Sequence, residues 1–139
     1  MSKLNSSSLK AFVNTGVSLF ILRVFAAGFM LYGHGWGKLM SVINGNFEFG
    51  DPIGLGPVVS LILAAFAEGI CTIFIIIGCY TRLASLILMI NMTVAVLFYH
   101  LPAGDAFGGM ETALLYLLLF TIIFLVGPGK FALDNKSRR

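Results

Sequence analysis

The chain reads as an all-α, polytopic membrane protein, a four-transmembrane-helix bundle with both termini on the cytoplasmic side. Two observations of composition and one of arrangement predict it. Of 139 residues, 58% are hydrophobic and 11% charged, and the mean hydropathy is +0.97; a soluble domain carries roughly 25% charged residues. At about 20 residues per spanning helix, four spans use about 80 residues and leave short loops and tails, with no room for a large soluble catalytic domain. The cations are also distributed unevenly along the chain, which sets an orientation.

The first span is expected over 12–39, with Arg23 the one charge before His34. It is too long for a signal-peptide core and lacks a small-x-small cleavage site, so it reads as a retained helix. Asn44-Gly45-Asn46 ends it. A polar, glycine-rich loop with Glu48, Asp51 and Pro52 follows, and Pro57 is placed to start the next helix. The second span covers 58–79 and is interrupted only by Glu68. A tight connection at Gly78–Arg82 leads to the third span, 83–101. Pro102, Gly104, Asp105, Gly108 and Gly109 mark the next loop, and the fourth span, 111–127, stops at Gly127-Pro128-Gly129. There is no internal repeat or low-complexity tract, and 1–139 reads as a single membrane domain.

Lys3 and Lys10 precede span one, Arg82 lies between spans two and three, and Lys130, Lys136, Arg138 and Arg139 follow span four. The other two loops hold Glu48, Asp51 and Asp105, with Lys38 the one cation nearby. The positive-inside rule then puts both termini in the cytoplasm. Nucleic-acid binding is excluded, because the net charge of +3 is scattered along an apolar chain rather than gathered on a face.

Ionisable residues within spans are costly and normally face partners in the bundle interior. Counting residues inward puts Arg23 and Glu68 both near the bilayer midplane, where an Arg23–Glu68 intramembrane ion pair is the natural solution. Asn91, midway along span three, is placed to satisfy a leftover donor or acceptor. Arg23 and His34 are eleven residues apart, about three turns, and Lys38 is one turn further. Span one therefore carries a polar stripe of Arg23, His34 and Lys38. Glu111 starts span four at the depth of His34 and Lys38 and is placed to neutralise one of them. His100, with Tyr99 and Asp105, ends span three at the same level. Asn91 and His100 are nine apart, half a turn out of phase, so an ideal helix cannot aim both inward. His34, Lys38, Glu111 and His100 are thus the candidates for a site open to one side that admits a small polar head group. The bland alternative is that the charges only lock helix pairing and register.

Other motifs carry less. Gly33-His34-Gly35-Trp36-Gly37-Lys38 lacks the spacing of a phosphate loop, and no strand precedes it. Its alternating glycines instead allow close approach of a helix or a ligand, and Tyr32 and Trp36 suit an interfacial aromatic belt. Cys71 and Cys79 are eight apart on one helix, about 12 Å by rise, beyond disulfide reach. A haem held by His34 and His100 is disfavoured, and no metal-ligand cluster is read.

Leu22-Arg23, Gly28 and Gly33-His34-Gly35-x-x-Lys38 in span one, and Ala67-Glu68-Gly69 with Gly78-x-x-Thr81-Arg82 around span two, form a recognisable order. With Glu111-x-Ala113-Leu114-Leu115, Gly127-Pro128-Gly129 and Leu133-Asp134, the arrangement resembles the DoxX family of small four-helix bacterial and archaeal membrane proteins. The resemblance implies a multi-pass protein of the cytoplasmic membrane that serves a quinone- or redox-linked membrane complex as an accessory subunit. It implies a quinone as ligand, a membrane or soluble oxidoreductase as partner, and no catalysis by the chain alone. Homo-oligomerisation is a further expectation. The alternatives are an assembly factor or structural subunit without a small-molecule site and, less well suited to four spans, a transporter that would have to oligomerise.

Overall fold

The computed structural model describes residues 15–135. The expected start of span one at residue 12 lies outside them, as do Lys3, Lys10, Lys136, Arg138 and Arg139. Four helices long and apolar enough to cross a membrane account for most of the described chain: α1, Thr15–Ile43; α2, Pro57–Ile77; α3, Thr81–Ala103; and α4, Phe107–Val126. Among the described residues there is no strand.

Local chemistry sets the ends. Three helices close with the same left-handed glycine cap, in which paired N–H groups satisfy carbonyls of the last turn. At α1, Gly45 has φ +70°, and Asn46 N–H donates to Ser41 O at 2.9 Å. At α2, Gly78 (φ +74°) lets Cys79 N–H reach Phe74 O at 2.9 Å, and at α3 Gly104 (φ +74°) lets Asp105 N–H reach His100 O at 3.2 Å. Pro57 opens α2 at its first position, where its missing N–H costs nothing.

Two boundaries differ from the sequence reading. α3 continues through Pro102, and Gly108 and Gly109 belong to the first turn of α4 rather than to the loop. A helix start tolerates glycine because its first N–H groups have no intrahelical partner in any case. Pro102 follows directly on a π-helical stretch, Ala95–His100, where the ladder has already left α-helical register.

That π-helical stretch has two counterparts among the described residues, Leu31–Gly35 in α1 and Phe66–Cys71 in α2. A π turn inserts one extra residue and shifts the phase of everything beyond it. In α2, Thr72 Oγ1 donates to Glu68 O at 2.8 Å and Gly69 O at 2.5 Å, serving carbonyls that the widened turn displaces.

The helices form an antiparallel ring in which α1 packs on α2, α2 on α3, α3 most extensively on α4, and α4 back on α1. The core is built largely of small or flexible residues, including Ala26, Ala27, Met30, Ala67, Cys71, Ala84 and Met92, with Leu88 and Phe120 fully enclosed. Small side chains let backbones approach where apolar surroundings provide no hydrophobic drive to association. The outward faces carry bulky apolar groups, with Phe29 63% and Leu125 67% exposed. So continuous an apolar exterior suits a bilayer and not water.

At the end where α1 begins and α4 stops, residues 127–135 fold back over the bundle. The buried Arg23 guanidinium reaches out of α1 to bind them, donating from Nη1 to Ile75 O (2.9 Å) and Ile76 O (3.1 Å) and from Nη2 to Phe131 O (2.6 Å). Asp134 caps α3, its carboxylate accepting from Tyr80 N–H (2.7 Å) and Thr81 N–H (2.9 Å). One cation thus covers the carbonyl end of α2 and one anion the N–H end of α3, each complementing the helix dipole.

Candidate functional site

The opposite end of the bundle is hollow. A cavity of about 920 Å³ lies among all four helices and is roofed by the 44–56 connection. Its walls are mainly apolar, from Leu63, Ile87, Ile90 and Val94 among others, with a few convergent polar groups. This is the usual constitution of a small-molecule pocket.

The polar base is set by one helix crossing. Gly35 of α1 lies against the backbone of α2 so closely that a methyl group there would overlap the Glu68 carbonyl. A Cβ on Gly69 would come within 2.6 Å of Leu39. Gly33 and Gly37 have open space instead, so of the alternating glycines it is Gly35 that permits the approach. One turn beyond the contact, Lys38 forms a salt bridge with Glu68 Oε2, and from α3 Asn91 Nδ2 donates to Glu68 Oε1 at 2.8 Å. The Glu68 side chain is only 6% exposed and that of Lys38 21%. The carboxylate is therefore compensated, and both side chains line the cavity. Lys38 Nζ also lies 5.9 Å from the ring centroid of Phe49 in the roof.

Around this knot the lining is aromatic. The His34 ring meets Tyr116 of α4 edge-on at 5.7 Å, and Tyr116 stacks on Phe120 at 6.0 Å. His100 Nδ1–H donates to Asp105 Oδ2 at 2.7 Å, which leaves Nε2 as that ring's other hydrogen-bonding atom. The Tyr99 ring lies 5.2 Å from that of His100 and against Gly50 of the roof. The roof is pinned by Asp51, which accepts from Leu55 N–H (2.9 Å), Gly56 N–H (2.9 Å) and Ser60 Oγ–H (3.0 Å). These bonds to its ionised form, Gly56 foremost, hold the Asp51 carboxyl below its ordinary pKa.

His34, Lys38, His100 and Asn91 all line the cavity, as does Glu68. The Arg23–Glu68 pair does not form. The Gly35–Glu68 contact fixes the antiparallel register of α1 and α2. Arg23, twelve residues back along α1, is about 18 Å away by helical rise, beside the last turn of α2. Counting inward from residues 12 and 58 misses this because it starts at opposite ends of two helices of unequal length, 29 residues for α1 and 21 for α2, whose stagger the Gly35 contact sets. The partner of Glu68 is Lys38, and the anion near Arg23 is Asp134.

Glu111 is also displaced from its expected place. It is exposed, lies outside the cavity lining, and makes no salt bridge among the described residues. The buried face of α4 is marked by Ala113, Phe120 and Ile123, and Glu111 precedes Ala113 by two residues, over half a turn around the helix. The phase argument against Asn91 and His100 fails because the π turn over Ala95–His100 brings both to one cavity. Tyr116 and Phe49 were not singled out from sequence. Tyr116 lies one turn from Ala113 on the buried stripe of α4, and that spacing is its signal; nothing local marks Phe49.

Among the described residues no cluster of His, Cys, Asp or Glu suits a metal ion. Cys71 is buried and Cys79 partly so, and both are free thiols.

Comparison with known proteins agrees with this architecture. The DoxX family profile matches residues 18–101, which include His34, Lys38, Glu68, Asn91 and His100. A protein of Haemophilus influenzae described as uncharacterized is 37% identical over 127 residues, covering 85% of this chain and 89% of its own length. No solved structure matches the chain. The four apolar helices, the matched residues and the near full-length relative lead to one conclusion: this multi-pass membrane protein belongs to the DoxX family.

Proposed function

We propose that the protein is an accessory subunit of a redox- or quinone-linked complex of the bacterial or archaeal cytoplasmic membrane. In this role it holds a quinone-like amphipathic ligand in its hollow end and does not catalyse a reaction alone. The observation that carries the reading is the cavity of about 920 Å³, in which mainly apolar walls converge on Lys38, Asn91, His34 and His100. An alkyl or prenyl tail suits the walls, and the polar groups suit the oxygens of a head group. His34 and His100 are of the residue type that exchanges protons near neutral pH. Arg82 and Lys130 at the terminal end, against Glu48, Asp51, Asp105 and Glu111 at the other, favour a cytoplasmic terminal end and a cavity toward the outer face.

Protein purified from membranes and reconstituted in nanodiscs tests the reading. Co-purified quinone in the solvent extract, or a rise in melting temperature on adding a short-tailed quinone, is the expected result. Neither quinone nor a shift would overturn it. A structural or assembly subunit is the second reading, favoured by the Arg23 contacts, all three of which go to backbone carbonyls of the protein itself. Under it, His34→Ala leaves the function of the complex intact.

A further inference from the structure

We infer that the cavity opens sideways between α2 and α3, and that its ligand enters and leaves there, from the hydrocarbon of the bilayer and not from water. This rests on the proposed ligand-binding role and specifies the route to it.

The opening follows from how the helices part. α2 packs on α3 through Phe66–Ile77, whereas its outer length, Pro57–Ala65, packs on Trp36–Ile43 of α1. The side chains at the parting show where it leads. On α2, Phe66 (44% exposed) continues the outward stripe of Val59 and Ile62; on α3, Ile90 (57% exposed) continues that of Leu83 and Leu86. Those four earlier residues lie outside the cavity lining, but Phe66 and Ile90 belong to it, as does Leu63 of α2, which is 49% exposed. A side chain that sits both on the outer face of its helix and in the cavity wall stands at the edge of an opening.

The chemistry of that edge suits hydrocarbon. Leu63, Phe66 and Ile90 are all apolar, so an alkyl tail crossing between them keeps apolar surroundings throughout. The aqueous end is covered by the roof, which runs from α2, where Asp51 holds Ser60, to α3, where Gly50 meets the Tyr99 ring. A ligand arriving from water would displace those contacts and would first expose each methylene of its tail to solvent, which is unfavourable. The flank between α1 and α4 is bridged at the depth of the knot, where the His34 and Tyr116 rings meet edge-on at 5.7 Å, and Thr112 adds a hydroxyl to its lining. Of the ways into the cavity, the α2–α3 side is therefore the one that offers a tail neither a contact to break nor a polar group to pass.

Equilibrium affinity does not report a route, whereas association and dissociation rates do. The test is exchange of a radiolabelled decyl-substituted benzoquinone between the full chain in nanodiscs and an excess of empty nanodiscs. Leu63→Trp/Ile90→Trp adds bulk to both edges of the opening at positions already half exposed to the bilayer, and thermal unfolding checks that the fold is kept. Association and dissociation are both expected to slow by about tenfold, the scale set by forcing a group past added bulk. Where the tryptophans prevent folding, Leu63→Phe/Ile90→Phe makes the same test with less bulk. Rates within about twofold of the unaltered chain, with the probe still bound, overturn the inference and leave the ligand-binding role standing. Slowing by Thr112→Trp but not by the Leu63 and Ile90 changes places the entrance between α1 and α4 and also overturns it. Absence of probe binding to the unaltered chain overturns the inference together with the binding role.

Discussion

Glu68 exchanges its expected partner for another, and a pair of double-mutant cycles measures the difference. Lys38→Met leaves the Glu68 carboxylate with Asn91 as its remaining side-chain partner in a site where its side chain is 6% exposed. Stranding a buried charge in this way costs about 3–5 kcal/mol. Lys38 is itself 21% exposed, so water relieves part of that loss and the lower limit of about 3 kcal/mol applies. In a Glu68→Gln background the same lysine change strands nothing and costs about 1 kcal/mol. The coupling between positions 38 and 68 is therefore about 2 kcal/mol, roughly thirtyfold in the unfolding equilibrium. Arg23 binds the carbonyl of Ile75, seven residues and about 10 Å along α2 from Glu68. Arg23→Met and Glu68→Gln should accordingly be additive to within about 0.5 kcal/mol. Reversible unfolding in mixed micelles supplies both numbers. A coupling above about 1 kcal/mol between 23 and 68, or its absence between 38 and 68, would refute the register deduced from the Gly35 contact.

Gly35→Ala should force α1 from α2 and destabilise by about 1–3 kcal/mol, while Gly33→Ala and Gly37→Ala, with open space at each Cβ, should change unfolding by no more than about 0.5 kcal/mol; equal effects at the three positions would contradict the close crossing. Because folding depresses the Asp51 pKa, its stabilisation of the 44–56 roof is present above the unfolded value and lost as pH falls through the folded one. Protection of the Leu55 and Gly56 amides against hydrogen exchange, taken relative to the intrinsic rate at each pH, should therefore fall only in acid, below about pH 4, and Asp51→Asn should abolish that dependence. With the terminal end cytoplasmic, Cys79 at the α2–α3 connection should react with a membrane-impermeant maleimide in inverted vesicles and not in intact spheroplasts; buried Cys71 should react in neither.

Much of the architecture was legible in the sequence because the bilayer makes its demands in one dimension. Apolar length and proline and glycine punctuation located four helices, with ends misplaced by a few residues where Pro102, Gly108 and Gly109 proved to be helical. Charge scarcity likewise drew attention to Lys38, Glu68 and His34, and all three line the cavity. Partnership was not legible, because it depends on quantities that a residue count does not carry. A count from opposite ends of two spans of unequal length puts Arg23 level with Glu68; the Gly35 contact sets the true register. Glu111 seemed inward because its depth was right, but its azimuth on α4 is wrong relative to Ala113. Asn91 and His100 seemed incompatible because a regular helix was assumed between them.

The π turns in α1, α2 and α3 have a consequence of their own. Each takes up one residue more than a regular turn, so the residues beyond it keep a rotational setting that their number in the sequence does not give. Deleting a single residue from Ala95–His100 would restore ordinary winding and leave the far end of α3 nearly where it is, because eight regular steps from Asn91 to His100 end about 80° round the helix where nine end about 180° round it. His100 would stay on the side of Asn91, and the near length, with Leu88 and Ser85, would stay seated. A one-residue deletion, ordinarily a lesion in a spanning helix, is one that α3 can absorb at the place where its ladder is already widened.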